Sequence, residues 1–375
     1  MEDGPQSKFF FMIFWCKNCL NASTRPRITF DKRGYCNACQ WSEEKEKITW
    51  KKRQDVLKKL FKKNKKNKYD CIVPVSGGKD GSYVSYILKK KFGIRPLTIT
   101  VRPPLELNLG SNNLKNFINS GYDHIHISPN QKVMYELNKF GFKFKGFPYY
   151  GWLIAIHTSV LKLAASLNIN LIFYGEDGEV EYGGTNKTKN KPFYDSETIK
   201  KIYLEGGYDL LIKKINAKKS EKFFFEFPSD SELKKIKITH WSYFEKWDSY
   251  RNYVVAKEHC GLEENEKTNM GTFTNFAQND QAFYALHAYI MYLKFGFGRA
   301  TQDAGIEVRR GAMTRNQAIN LVKLYDNHYP DEYIKLYLDY YKMSKSEFDK
   351  VLDKWVNKKL FKKIKNRWQP NFSVE

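Results

Sequence analysis

Residues 71–82 read Cys-Ile-Val-Pro-Val-Ser-Gly-Gly-Lys-Asp-Gly-Ser, and this segment constrains the fold more than any other. A short apolar run, Cys71 to Val75, ends at Ser76-Gly77-Gly78, and a helical pattern starts near Ser82. Two glycines let the chain turn tightly and aim successive N–H groups at one anion. The helix that follows brings its positive N-terminal end to the same point. Lys79 adds a full charge, and Ser76 and Ser82 offer hydroxyls. Such a turn between strand and helix is a cradle for pyrophosphate. The GxxxxGK[ST] spacing of a Walker A loop is absent.

The pattern around it is that of a parallel sheet. Apolar runs recur at Leu97–Val101, His124–Ile127 and Asn170–Tyr174, with a helix expected over Trp152–Leu167. Strands alternating with helices imply α/β architecture with the strands buried on both faces. Pro74 sits awkwardly for a central strand, because proline donates no ladder hydrogen bond. After about residue 190 the chain reads as mainly helical. Thr314-x-x-Gln317 and Ser344-x-x-Glu347 are capping boxes opening periodic apolar stretches.

Ahead of the cradle lie Cys16-x-x-Cys19 and Cys36-x-x-Cys39, sixteen residues apart. Two such knuckles suit a closed tetrahedral Cys₄ zinc site, which has no open position for catalysis. The alternative is four reduced cysteines without metal. With no signal peptide legible, a cytoplasmic location is expected. The apolar stretch Phe9–Cys16 is too short to span a membrane, and no other run is long enough. The eleven residues ahead of Met12 read as an optional leader or a misassigned start. The Lys-rich stretch Glu43 to Lys68 is expected to be one helix with a turn at Asn64–Asn67.

A third feature follows the NLIFY strand: Gly175-Glu176-Asp177-Gly178-Glu179-Val180-Glu181-Tyr182-Gly183-Gly184. It falls at the carboxyl edge of the sheet, where open α/β folds bind ligands. Its four carboxylates can hold Mg²⁺, substrate hydroxyls or ammonia, or form a plain solvated loop. A fourth, Phe295 to Gly311, interleaves Arg299, Asp303, Arg309 and Arg310. It reads as an anion-binding loop or, equally, as a salt-bridge network.

The formal charge is +23, but only 12 of the 64 basic residues are arginine. Arginine is the usual reader of bases and phosphates. A lysine excess can instead reflect an AT-rich coding bias, so charge alone does not argue for specific nucleic-acid binding.

The loop resembles the SGGxDS signature of the PP-loop ATP pyrophosphatases, with Gly81 standing between Asp80 and Ser82. The wider set is closer still to one family. TRPRITFD and GYCNAC between the cysteines, VPVSGGKDGS, YGEDGEVEYGG and FGFGRATQDAGIEVRRGAMTRNQAINLVKLYD together resemble the N-acetyl sugar amidotransferases (PseA/WbpG-like), over nearly the whole chain. The resemblance implies a parallel-sheet, Rossmann-like domain of the adenine nucleotide alpha hydrolase type. A zinc knuckle at 12–42, a basic helical linker at 43–68, the PP-loop domain at 69–190 and a mainly helical substrate or partner region at 191–375 would make up the chain.

It further implies cleavage of ATP to AMP and pyrophosphate. The acetamido group of a nucleotide-linked N-acetyl sugar would become an acetamidino group, in O-antigen or pseudaminic- or legionaminic-type glycan synthesis. ATP would lie on Ser76, Gly77, Gly78, Lys79, Asp80, Gly81, Ser82, Arg102 and Gly175. Catalysis would fall to Lys79, Asp80, Glu176, Asp177, Glu179 and Glu181. The substrate would meet Tyr182, Gly183, Gly184, Arg299, Asp303, Arg309 and Arg310. Mg²⁺ and structural Zn²⁺ would be the metals. No self-contained glutaminase is legible, since Cys260 lacks a Gly-x-Cys-x-Gly setting, so a separate HisH-like glutaminase is the expected ammonia source. The rivals are a tRNA-modifying PP-loop enzyme and a zinc-dependent nucleic-acid-binding module without catalysis.

Overall fold

The computed structural model describes residues 13–64, 68–365 and 367–375. The leader ahead of Met12, the first part of the Phe9–Cys16 stretch and most of the Asn64–Asn67 turn lie outside the described residues. Five parallel strands form the sheet: β1 Cys71–Pro74, β2 Pro96–Val101, β3 His124–Ile127, β4 Leu171–Tyr174 and β5 Lys237–His240, in the order β3-β2-β1-β4-β5. Helices α1 Asn37–Lys45 and α2 Trp50–Asn64 precede β1. The crossovers then run through α3 Lys79–Phe92, α4 Asn108–Asn119, α5 Gln131–Lys145 and α6 Tyr150–Ser166, and α7 Gly178–Tyr182 follows β4.

Period-2 alternation decides which face each strand residue covers. Ile72, Ile99, Ile172 and Ile238 face α5, α6 and the later helices. Cys71, Val73, Leu171 and Phe173 face the other way, against Tyr83, Val84 and Leu88 of α3 and Leu114 and Phe117 of α4. Both faces are therefore covered, as a parallel sheet requires. Pro74 closes β1 at its carboxyl end, and the next residue, Val75, donates its N–H to Ile99 O at 2.9 Å.

Two expectations need correction. Glu43–Lys68 is not one linker helix: it breaks between α1 and α2, and α2 buries Leu57, Leu60 and Phe61 on the sheet's second face. Nor does the sheet end near residue 190. β5 comes from residues 237–240, and Tyr194 forms a further bridge to Ile238. The rest of the later chain is mainly helical, including Ser249–Cys260, Phe283–Phe295, Arg299–Arg309, Arg315–Tyr325 and Lys345–Trp355, and it closes with an antiparallel pair of strands, Phe361–Ile364 and Arg367–Pro370. Both capping boxes form as read, at Thr314 with Gln317 and at Ser344 with Glu347. No helix among the described residues is long and apolar enough to cross a membrane.

The first cysteine knuckle meets the last residues of the chain. Trp15 donates its Nε1–H to Ser373 O at 3.0 Å, and Arg315 donates to Cys16 O at 3.3 Å. Trp15, Leu20, Phe297, Ala304, Val322 and Val374 share one apolar cluster.

Candidate functional site

The strand order reverses at β1, which lies between β2 and β4. Crossovers from β1 and β4 leave in opposite directions, so their carboxyl ends open a crevice. The two loops that sequence singled out leave from these two strands. Gly77 adopts φ +79°, and a Cβ there would sit 2.3 Å from Leu114 N, so the cradle is pressed onto α4. Gly81, in the first turn of α3, explains the departure from SGGxDS. A Cβ at that position would come within 2.9 Å of Pro74 O and Val75 Cγ1.

A cleft of about 280 Å³ lies over the cradle. Ser76, Gly78, Lys79, Asp80 and Gly81 form its floor, and Gly175, Glu176 and Tyr182 one wall. Lys79, 7% exposed, holds its Nζ 2.5 Å from Asp80 Oδ2, and Asn252 donates to Asp80 Oδ1 at 3.3 Å. Glu176 accepts from the Tyr182 hydroxyl at 2.6 Å and from Trp247 Nε1 at 3.0 Å. Burial and the neighbouring Asp80 charge raise the pKa of Glu176. Burial and the Glu176 charge push Tyr182 well above the usual phenol range, so it remains a hydroxyl donor.

The opposite wall, apart from Arg299, was not singled out in sequence. It consists of Phe276, Ala277, Gln278, Asn279, Asp280, Tyr284 and, from the fourth motif, Arg299. Asparagines brace it: Asn269 donates to Asn279 Oδ1 at 2.6 Å and to Ala277 O at 2.5 Å, and Asn275 donates to Asn265 O at 2.7 Å. The one available hint was the recurrence of asparagine at 265, 269, 275 and 279. Asp280 accepts from Tyr284 at 3.3 Å, and burial pushes its carboxyl up to about 6. Asp303 lies behind Arg299 as its ion-pair partner at 2.7 Å and accepts from Thr272 at 2.6 Å.

Several expected site residues lie elsewhere. Arg102 is 56% exposed and turned to Glu106 at 3.3 Å, outside the cleft. The Ser82 hydroxyl is buried beneath the loop. Asp177 caps α7 through Glu179 N, accepts from Thr188, and faces a separate void of about 20 Å³ with Tyr194 and His240. Glu179 is held by Arg27 at 2.6 and 2.8 Å, and Glu181 by Lys45 and Trp41. Gly183 and Gly184 pack on the cysteine knuckle. Arg309 and Arg310 line a second chamber of about 340 Å³, which touches the first only through Glu176.

The four knuckle cysteines converge, with all Sγ atoms within 4.8 Å of one another. Cys16–Cys39, Cys19–Cys36 and Cys36–Cys39 stand 3.7, 3.5 and 3.7 Å apart. A tetrahedron with metal–thiolate bonds of ~2.3 Å has sulfurs about 3.8 Å apart, so the set fits one ion. Donors to the sulfurs (Cys36 N–H at 3.2 Å, Asn18 and Asn21 amides at 3.3 Å) suit thiolates.

No curated protein matches the chain. Among solved structures, a predicted subunit of a tRNA methyltransferase from Methanocaldococcus jannaschii aligns at 16% identity, covering 59% of this chain and 85% of its own, with a TM-score of 0.29. The U34-tRNA thiolase NcsA from Methanococcus maripaludis, with its [4Fe-4S] cluster, aligns at 12% over 70% of this chain and 79% of its own, with a TM-score of 0.33. Both likenesses are too low to bear on function. A family model for the C-terminal domain of WbpG-like LPS biosynthesis proteins matches residues 270–372. That segment supplies Phe276 to Asp280, Tyr284 and Arg299 to the cleft over the cradle. Residues 270–372, part of which lines the cleft over the cradle, are thus similar to the C-terminal domain of WbpG-like LPS biosynthesis proteins.

Proposed function

We propose that the protein is an ATP-dependent, AMP-forming amidotransferase. Its substrate would be the acetamido group of a nucleotide-linked N-acetyl sugar, and its product an acetamidino group for surface glycan synthesis. One observation carries the reading: the WbpG-like segment and the phosphate cradle line a single cleft.

An amide is a poor electrophile, so its oxygen must first be made a leaving group. The amide oxygen bonds to the α-phosphorus of ATP and pyrophosphate departs. Ammonia then adds to the imidate carbon, gives up a proton, and AMP leaves carrying the oxygen. Lys79, the N-terminal end of α3 and Arg299 neutralise the phosphates. Tyr182 and the braced asparagine wall orient the acceptor. Asp280, whose carboxyl burial raises to about 6, is the carboxylate suited to receive the proton near neutral pH. Asp80 and Glu176 would hold Mg²⁺, which screens the departing pyrophosphate. The four cysteines would hold a structural Zn²⁺.

Ammonia would come from a separate glutaminase. Cys260 is 1% exposed, and burial pushes its thiol up to about 11. His259 stacks on Tyr86 at 4.4 Å and forms no thiol–imidazole pair with it. Cys71 is also buried, with its thiol raised. A cytoplasmic site of action, without specific nucleic-acid binding, goes with this reading.

The test is incubation with ATP, ammonium and candidate N-acetyl sugar nucleotides. Mass spectrometry should find one oxygen replaced by NH, alongside AMP and pyrophosphate. Formation of ADP and phosphate would overturn the assignment.

A further inference from the structure

The cysteine knuckle contributes no side chain to the cleft over the cradle among the described residues. It nevertheless grips the loop that does. Cys36 occupies the position before α1, so the cysteine cluster fixes where that helix starts. Trp41 and Lys45, four residues apart on α1, share one face. They take the two carboxylate oxygens of Glu181, Trp41 Nε1 at 2.9 Å and Lys45 Nζ at 2.7 Å. The Lys45 and Glu181 side chains are only 8% and 12% exposed, so the pair is shielded from solvent and salt.

Asn21 makes a second grip. Its amide nitrogen donates to Cys36 Sγ at 3.3 Å and to Tyr182 O at 3.0 Å, joining a cysteine directly to the loop backbone. Asn37 donates to Gly184 O at 2.5 Å. Between these grips Gly183 adopts φ +88°, and a Cβ there would lie 2.8 Å from Asn21 Nδ2. Arg309 donates to Glu181 O at 3.0 Å. The backbone on both sides of Tyr182 is thereby pinned from the knuckle, and its hydroxyl is delivered to Glu176.

We propose that the knuckle is the positioning element of the nucleotide site, with Asn21 and Lys45 as the positioning residues that set Tyr182 and Glu176 against the cradle. The metal's effect on turnover then runs through the 176–184 loop and not through the cradle, whose own packing is against α4 and β1. Groups that orient a directly acting residue commonly cost 10–100-fold when lost. The kinetic consequence rests on the AMP-forming reading. The structural consequence does not.

The test compares wild type with Asn21→Ala and Lys45→Met, which leave all four cysteines in place. Three quantities are read: metal per chain, amide hydrogen exchange of the peptide covering 176–184, and kcat and KM for ATP in AMP release. Both variants are expected to keep wild-type metal content. Exchange in 176–184 should speed up by about 10-fold or more. The kcat should fall about 10-fold or more, with KM for ATP within about 2-fold, since the cradle is untouched. Unchanged exchange and kcat with metal retained would overturn the proposal, as would a rise in KM alone. Loss of metal in proportion to lost activity in both variants would make Asn21 and Lys45 props of the metal centre, and would overturn it too. If wild type forms no AMP, only the amidotransferase reading falls, and exchange decides the proposal.

Discussion

Restoring the PP-loop signature should damage this protein. Gly81 stands where SGGxDS has serine, inside α3, and a helical glycine ordinarily invites replacement. Gly→Ala in a helix gains about 1 kcal/mol, and serine somewhat less. The local packing reverses the sign. An added Cβ meets Pro74 O and Val75 Cγ1 at 2.9 Å and Val75 Cα at 3.0 Å. Two of these three are backbone atoms of the cradle's own strand, so no flexible side chain can move aside. Overpacking of this kind costs about 1–3 kcal/mol, enough to cancel the helical gain and exceed it. Reaching ordinary contact requires the first turn of α3 to withdraw by roughly 0.5 Å, about the tolerance within which a site must be held. Lys79 and Asp80 ride on that turn.

Gly81→Ala and Gly81→Ser are therefore expected to lower the melting temperature by a few degrees, at about 2–4 °C per kcal/mol. They should also lower kcat/KM for AMP release about 10-fold or more. Gly178→Ala is the control, because its Cβ meets nothing closer than Tyr182 at 3.5 Å. Differential scanning fluorimetry and chromatographic AMP assays suffice. A Gly81→Ser protein that melts at or above wild type, with unchanged kcat/KM, would refute the packing argument.

Three other outcomes follow from the site. Lys79→Ala and Asp80→Ala should abolish AMP release while melting within a few degrees of wild type, because both line an open cleft; retained turnover would remove them from the machinery. Asp280, with its carboxyl raised from 3.8 to about 6, binds more protons folded than unfolded between those values, so it costs stability as pH rises through that window, by at most about 3 kcal/mol above it. Asp280→Asn should accordingly melt higher than wild type at pH 8, with the gap closing below pH 4, and a pH-independent gap would exclude this carboxyl as the cause. Elemental analysis should find one zinc per chain, and Cys36→Ser should both lose it and destabilise the fold; a metal-free, stable wild type would refute the site.

The cradle was legible because its residues are consecutive and its chemistry is local: strand, glycines, lysine and helix start all fall within twelve positions. The cysteine pairs and the two capping boxes were legible for the same reason. β5 was not. Lys-Ile-Thr-His is four residues long and follows a lysine-rich segment, and only pairing with β4 makes it a strand. The carboxylate loop was found as a unit but not resolved by residue. Glu176 lies ahead of α7 and meets the cleft, while 178–182 turns into α7 and sends Glu179 and Glu181 to Arg27 and Lys45. Asp280 and Tyr284 lie some two hundred residues from the cradle in sequence. Their place opposite it is a tertiary fact, with no periodic or compositional trace.

The hydrogen bond from Trp15 to Ser373 joins residues 358 apart. A ribosome adding about 5–20 residues per second makes the first partner roughly 20–70 s before the second. The knuckle's sulfurs can gather metal early in that interval. Trp15 and Leu20 nonetheless wait uncovered until Phe297, Val322 and finally Val374 emerge. During synthesis the apolar side of the knuckle thus stays unsealed for as long as residues 297–374 are still to come, and that exposed aromatic surface is where a nascent-chain chaperone would find purchase.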